Sequence, residues 1–156
     1  MADPTAGAAG ERQVVLQKIF LKDASFEVPK APQVFTRQWQ PQIDVQIGTA
    51  VLSLGPDQFQ VVLSVTVTAR LEQDIAFLAE VHQGGIFQLR GFGDGAERQQ
   101  ALGTECVKTL FPFAREAVAE LIQRGGFPQL LLQPVNFDAL YAEHVAKTAV
   151  PAATAH

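Results

Sequence analysis

The sequence is poor in sulfur and in charge, and each shortage excludes a class of protein. Its 156 residues include a single cysteine, Cys106, which rules out an internal disulfide or a metal cage of several thiolates. A reducing, cytoplasmic setting is the expectation. Charged residues make up 18% of the chain, below the roughly 25% of an average soluble domain. The formal charge is −4, with lysines and arginines scattered. No basic patch remains of the kind that binds nucleic acid by releasing counterions, and an anionic membrane surface is disfavoured on the same ground. No apolar run approaches the roughly 18 residues of a spanning helix, so direct membrane insertion is not expected. The first ten residues hold neither Lys nor Arg, nor the apolar stretch of a signal peptide. What is abundant is glutamine, at 17 copies, and phenylalanine, at 11. The length suits one domain burying roughly 70% of its unfolded surface, wetted by amides more than by charges.

Both ends, small and aperiodic, read as disordered tails at 1–12 and 148–156, around one domain spanning 13–147. Within it the apolar period changes near residue 95 from two to 3.6 residues. Strands therefore come first and helices last, the order of an α+β fold. The clearest strand runs from Phe59 to Leu71, with its odd-numbered residues apolar and Gln60, Ser64, Thr66 and Thr68 on the other face. Ile43, Val45 and Ile47 alternate with Gln42, Asp44 and Gln46 in the same way, and Gly55-Pro56-Asp57 supplies a turn between the two strands. Val14 to Val28 reads as a strand with a break near Asp23-Ala24. Ile75 to Leu89 reads as a fourth strand, in which Gly84-Gly85 predicts a bulge or bend. A four-stranded antiparallel sheet follows, as a meander or a Greek key. Its cover is a long helix over Leu110–Ile122, with Phe113 in the apolar stripe, Pro112 in the first turn and Gly125-Gly126 as the stop. A shorter helix is capped by Asn136.

Few constellations carry chemistry. Gly91 to Gly95 formally matches a dinucleotide-binding glycine pattern, but no parallel strand with a terminal acidic residue follows, so a flexible turn is expected. Cys106 lacks a histidine signature and reads as a small core residue. His82 falls in a strand, His144 in a helix and His156 in the tail, which is not a metal spacing. No catalytic, metal or cofactor site is predicted. The aromatics at Phe35, Trp39, Phe127 and Phe137 sit in loops or at element edges, and could line a groove beside strand edges able to pair with an extended peptide.

Five segments then carry a family likeness. They are Lys22 to Pro32, Trp39-Gln40-Pro41, Gln83 to Phe87, Leu110 to Glu116, and Phe127 to Leu130 continued by Pro134 to Leu140. In sequence and order they resemble SecB, the bacterial protein-export chaperone family, over roughly residues 13 to 147. The resemblance implies a cytosolic holdase that keeps unfolded precursor proteins translocation-competent and delivers them to the SecA motor ATPase. It also implies a homotetramer, a dimer of dimers, with no catalytic chemistry and no cofactor. By matching position it places SecA contacts at Asp23, Glu27, Leu78 and Glu80. It places the subunit interface at Ala79, Val81 and Gln83 on the opposite face, with Ala79 standing where a cysteine is known in the family. The client groove is expected at Phe26, Trp39, Phe137 and Tyr141, since a holdase needs backbone pairing and broad apolar contact more than a shaped pocket.

A helix laid on an antiparallel sheet also allows a competing reading, a hot-dog-like acyl-thioesterase or lipid-binding module. Asp138 or Glu116 would then be the working carboxylate over an acyl tunnel.

Overall fold

The computed structural model describes residues 11–154. The outer parts of the expected tails, 1–10 and 155–156, lie outside the described residues. Strands β1 (Gln13–Glu27), β2 (Gln42–Ser53), β3 (Gln58–Leu71) and β4 (Asp74–Arg90) form one antiparallel sheet in the order β1-β4-β3-β2. Of the two topologies left open this is the Greek key: β2, β3 and β4 follow by hairpins, and β1 lies beside β4. The β1–β2 connection, with a short 3-10 turn at Gln33–Thr36, passes from one sheet edge to the other.

The alternation in β3 decides which face is covered. Phe59, Val61, Leu63, Val65, Val67, Ala69 and Leu71 are buried, as are Phe77, Ala79, Val81, Phe87 and Leu89 of β4. Residues between them face outward, where Gln58, Gln17 and Gln88 join through side-chain hydrogen bonds, Gln58 Nε2 donating to Gln17 Oε1 at 2.7 Å and Gln17 Nε2 to Gln88 Oε1 at 3.4 Å. Amide groups thus wet the outer face, as the glutamine content suggested.

Three local expectations change. The break near Asp23 is not an end of the strand. β1 is continuous and its register slips between Leu16 and Lys18 and again between Leu21 and Asp23. Each slip inserts one residue that reverses the alternation, which is why the apolar period looked broken. Conversely, Gly84-Gly85 is no bulge, since both residues pair regularly on each side. A Cβ on Gly84 would lie 2.6 Å from the Phe20 ring and one on Gly85 2.8 Å from Leu110, so side chains need the space. Finally, helix α2 is longer than its apolar stripe suggested. It runs Glu105–Arg124 and carries Pro112 inside, on the exposed face. The proline removes the N–H that would bond the Lys108 carbonyl, a loss tolerated more readily where water can reach the backbone.

Helix α2 packs chiefly on β4 and β3. Val107, Leu110, Ala114, Val118 and Ile122 are fully buried against the sheet. Phe113, expected in that stripe, is 45% exposed because the helix turns its other side to the sheet. A helix absent from the sequence reading, α1 (Ala96–Gly103), precedes it. The α2 terminus is a Schellman motif: the N–H groups of Gly126 and Phe127 donate to the carbonyls of Gln123 and Ile122. Gly126 has φ +92°, a conformation with little strain only for glycine. Helix α3 (Phe137–Thr154) begins as expected at Asn136, whose Oδ1 accepts the Ala139 N–H at 3.1 Å. It runs past residue 147, where the sequence reading ended the domain.

Candidate binding surfaces

The outer sheet face gathers the four acidic-patch candidates. Antiparallel partners point to one side, and the register sets Asp23 opposite His82, Ser25 opposite Glu80 and Glu27 opposite Leu78. Asp23 and Glu27 are exposed, while Leu78 and Glu80 are half-buried between strands. The lysines on this face reach toward its other end, with Lys18 opposite Ile86 and Lys22 donating to Gln60 Oε1 at 3.2 Å, whereas exposed Arg70 of β3 stands beyond the Leu78 row, opposite Gln42 and Ile75. One end of the face thus presents three carboxylates around Leu78 on β1 and β4, with one arginine beside them on β3.

Ala79, Val81 and Gln83 lie on the opposite face, but not as an open surface. Ala79 and Val81 have no exposed area, and Gln83 is 4% exposed with its Nε2 donating to the Phe20 carbonyl at 3.0 Å. Within one protomer these side chains are enclosed beneath α2, so a part in a subunit interface would be exerted through that helix. The outward side chains are Phe113 on α2 and Leu16 and Leu21 on β1, at 45%, 41% and 54% exposure.

The four groove candidates fall in two places. Phe26 and Trp39 belong to an aromatic cluster centred on Phe127, with Phe77 at 4.9 Å, Trp39 at 5.1 Å and Phe35 at 5.1 Å between ring centroids. Phe26 stacks on Phe77 at 5.7 Å and its ring abuts Gly125. This cluster ties the β1–β2 connection to the α2 terminus. Phe137 is also mostly core, 3% exposed and edge-on to Phe111 at 5.5 Å. Tyr141 packs where a Cβ on Gly103 would be, 2.6 Å from its ring.

The open apolar surface lies between these places. A groove of about 740 Å³ runs between the helix-side face of β2 (Ile43, Val45, Ile47) and a wall made by Leu130, Leu131, Val135 and Leu140, with Phe111 among its lining residues. A second trough of about 530 Å³ continues along β2 to Val51, past Phe137 and Tyr141, and shares Ile47, Leu140 and Glu143 with the first. β2 is an edge strand, so its outer N–H and C=O groups border this channel. The sequence reading missed the wall. Its signal was the Leu130-Leu131-Leu132 run between Pro128 and Pro134: three successive apolar residues in irregular chain cannot all face inward, and Leu131 is 61% exposed while Leu132 is 7%.

Other nominees do not form a reaction centre. Burial, then the Glu105 charge, pushes the Cys106 thiol up to about 12, which leaves it a poor nucleophile at neutral pH. Gly91 adopts φ +80° with the Glu11 carbonyl against its α-carbon, and the sheet around it is antiparallel, so the glycine run turns the chain into α1. Asp138 is paired with Lys108 Nζ at 2.7 Å in a separate polar cleft. Glu116 is exposed on α2 and lines neither apolar trough.

Comparison with known proteins agrees with this architecture. Residues 7–148 match the model of the SecB family, described as preprotein translocase subunit SecB. A protein-export protein SecB from Hydrogenovibrio crunogenus is 50% identical over 139 residues, covering 89% of this chain and 93% of its own. One from Halorhodospira halophila is 50% identical over 142 residues, covering 89% and 82%. Among solved structures, a SecB-like chaperone from Mycobacterium tuberculosis, in complex with a peptide from an antitoxin, superposes with a TM-score of 0.66. It is 21% identical, over 79% of this chain and 91% of that one, and so supports the fold.

Proposed function

The chain belongs to the SecB family of protein-export chaperones, and on that premise we propose that its channel along β2 holds unfolded precursors and its acidic face delivers them to SecA. The observation that carries the first half is the apolar channel bordered by an open strand edge. An extended client can hydrogen-bond to the edge while its side chains enter troughs lined by Ile43, Val45, Leu131 and Leu140. Neither contact demands a particular sequence, which suits a holdase that meets many precursors. Binding at several such channels along one unfolded chain multiplies through effective concentration.

The second half rests on Asp23, Glu27 and Glu80 sharing one face around Leu78. A basic docking partner would be steered there electrostatically. The reading includes a cytoplasmic homotetramer built as a dimer of dimers. It is supported by the apolar side chains left outward at Leu16, Leu21 and Phe113, which isolated protomers would expose to water. The protein turns over no substrate in this reading, and energy for client release comes from SecA.

Aggregation of a chemically denatured protein on dilution, followed by light scattering, tests the channel. The wild-type chain should suppress it at near-stoichiometric amounts, and Leu131→Asp with Val45→Asp should lose that suppression while keeping the far-UV spectrum. Suppression unaffected by both changes would place the clients elsewhere.

A further inference from the structure

The acidic face contains one side chain that its docking role does not use. His82 stands among the carboxylates: its Nε2 is 3.1 Å from Glu80 Oε1 and its Nδ1 is 2.9 Å from Ser64 Oγ. An ionised carboxylate only accepts, so Nε2 carries the hydrogen and donates to Glu80. In the neutral ring Nδ1 then accepts from the Ser64 hydroxyl. When the ring gains a proton, Nδ1–H donates and the hydroxyl rotates to accept. Both charge states thus fit the same heavy-atom positions. The charge of the face can change by one unit with no rearrangement of the sheet.

The groups around the ring define what that proton does. Asp23 of β1 is directly opposite, and Lys22 projects from the neighbouring slip in β1 toward Gln60. From β3 come the hydroxyls of Ser64, opposite the ring, and of Thr66, opposite Glu80, and behind Ser64 on β2 is Gly48, which has no side chain. Glu80 is two residues along β4, and the helices lie on the other side of the sheet. A protonated ring is therefore paired with Glu80 and faces the strand position of Asp23, two of the carboxylates offered to SecA.

We infer that His82 is a positioning residue that orients Glu80 and makes docking of a basic partner proton-sensitive, strong when the ring is neutral and weakened when it is charged. This rests on the acidic face being the SecA site. A histidine ordinarily changes charge between about pH 5 and 8, within the range a cell visits.

The test uses the intact chaperone and purified SecA in calorimetric titrations at low salt, near pH 6 and near pH 8. Wild-type affinity should fall by about two- to fivefold at the lower pH, the effect of one exposed charge pair, beyond any change seen with His82→Gln. Docking near pH 6.5 should also release a fraction of a proton, read from buffers of different ionisation enthalpy, and His82→Gln should abolish that fraction. An identical pH profile and proton release in the variant would overturn the inference. Should the variant not fold, the wild-type imidazole followed by NMR must shift its titration to lower pH on adding SecA, and an unshifted titration overturns it equally. Asp23→Lys separates the two levels: if it leaves SecA affinity unchanged, the acidic-face reading itself has failed.

Discussion

Replacing Phe127 with alanine should cost stability and loosen the channel wall at once. Phe127 is 5% exposed and touches the rings of Phe77, Trp39, Phe35 and Phe26 at centroid distances of 4.9, 5.1, 5.1 and 6.4 Å. Truncating a buried phenylalanine costs about 3–5 kcal/mol through lost transfer energy and the void left behind, a range that already contains most of the ring–ring contribution of about 0.5–1.5 kcal/mol per pair. Partial collapse of the exposed Phe35 into the space argues for the lower end, about 3 kcal/mol. With a urea m-value of about 2 kcal/mol/M, the midpoint should fall by about 1.5 M. Trp39 is the chain's single tryptophan and part of the cluster, so its emission reports the event directly. Protein concentration must be held constant, since assembly couples to unfolding. Phe35→Ala, at a site 50% exposed, is the internal control and should cost no more than about 1 kcal/mol. Equal losses for the two variants, or a Phe127→Ala loss below about 1 kcal/mol with unchanged Trp39 emission, would refute the idea that Phe127 joins the connection to the helix terminus.

Other expectations are simpler. Cys106 should resist alkylation in the folded chain at neutral pH and react only on unfolding. Because its folded pKa is raised from 9.0 to about 12, its contribution to stability is complete below pH 9, where both states hold the proton. It declines as pH climbs from 9 toward 12, and a flat stability profile over that window would contradict the burial. Pro112→Ala should raise the unfolding free energy by about 1 kcal/mol or more, read from urea titration, by restoring a backbone hydrogen bond on an exposed helix face; a loss would mean the proline's shape is used by a neighbour. Asp23→Lys with Glu27→Lys should weaken SecA binding at low salt and leave client binding intact, as measured by pull-down and aggregation assays side by side. Loss of both activities together would indicate misfolding.

Legibility from sequence followed local pattern. β3 was readable because seven alternate side chains all reach the same core, and the α2 stop was readable because two successive glycines have few other uses there. β1 was harder, since its two slips reverse the alternation and only the partner strand reveals them. α1 left almost no apolar contrast, with just Ala101 and Leu102 buried. Pro112 suggested a helix start, whereas burial of Cys106 and Val107 pulls the helix N-terminal of it. The positions of the acidic face came from family likeness, and the pairing of β1 with β4 is what brings Asp23, Glu27 and Glu80 to one side of the sheet. The channel was not legible, because it depends on which strand the helix leaves uncovered, a property of sheet order.

The wall of that channel is a strap fastened at two buckles. At one end Gly125 and Gly126 turn the chain sharply and Phe127 locks it into the aromatic cluster, and at the other Asn136 starts a helix through its own side chain. Between them, 128–136 has no regular structure, with Leu132 as its inward peg. If clients occupy the channel as proposed, a span tied only at its ends would let guests of different girth share one site while both fastenings stay in place.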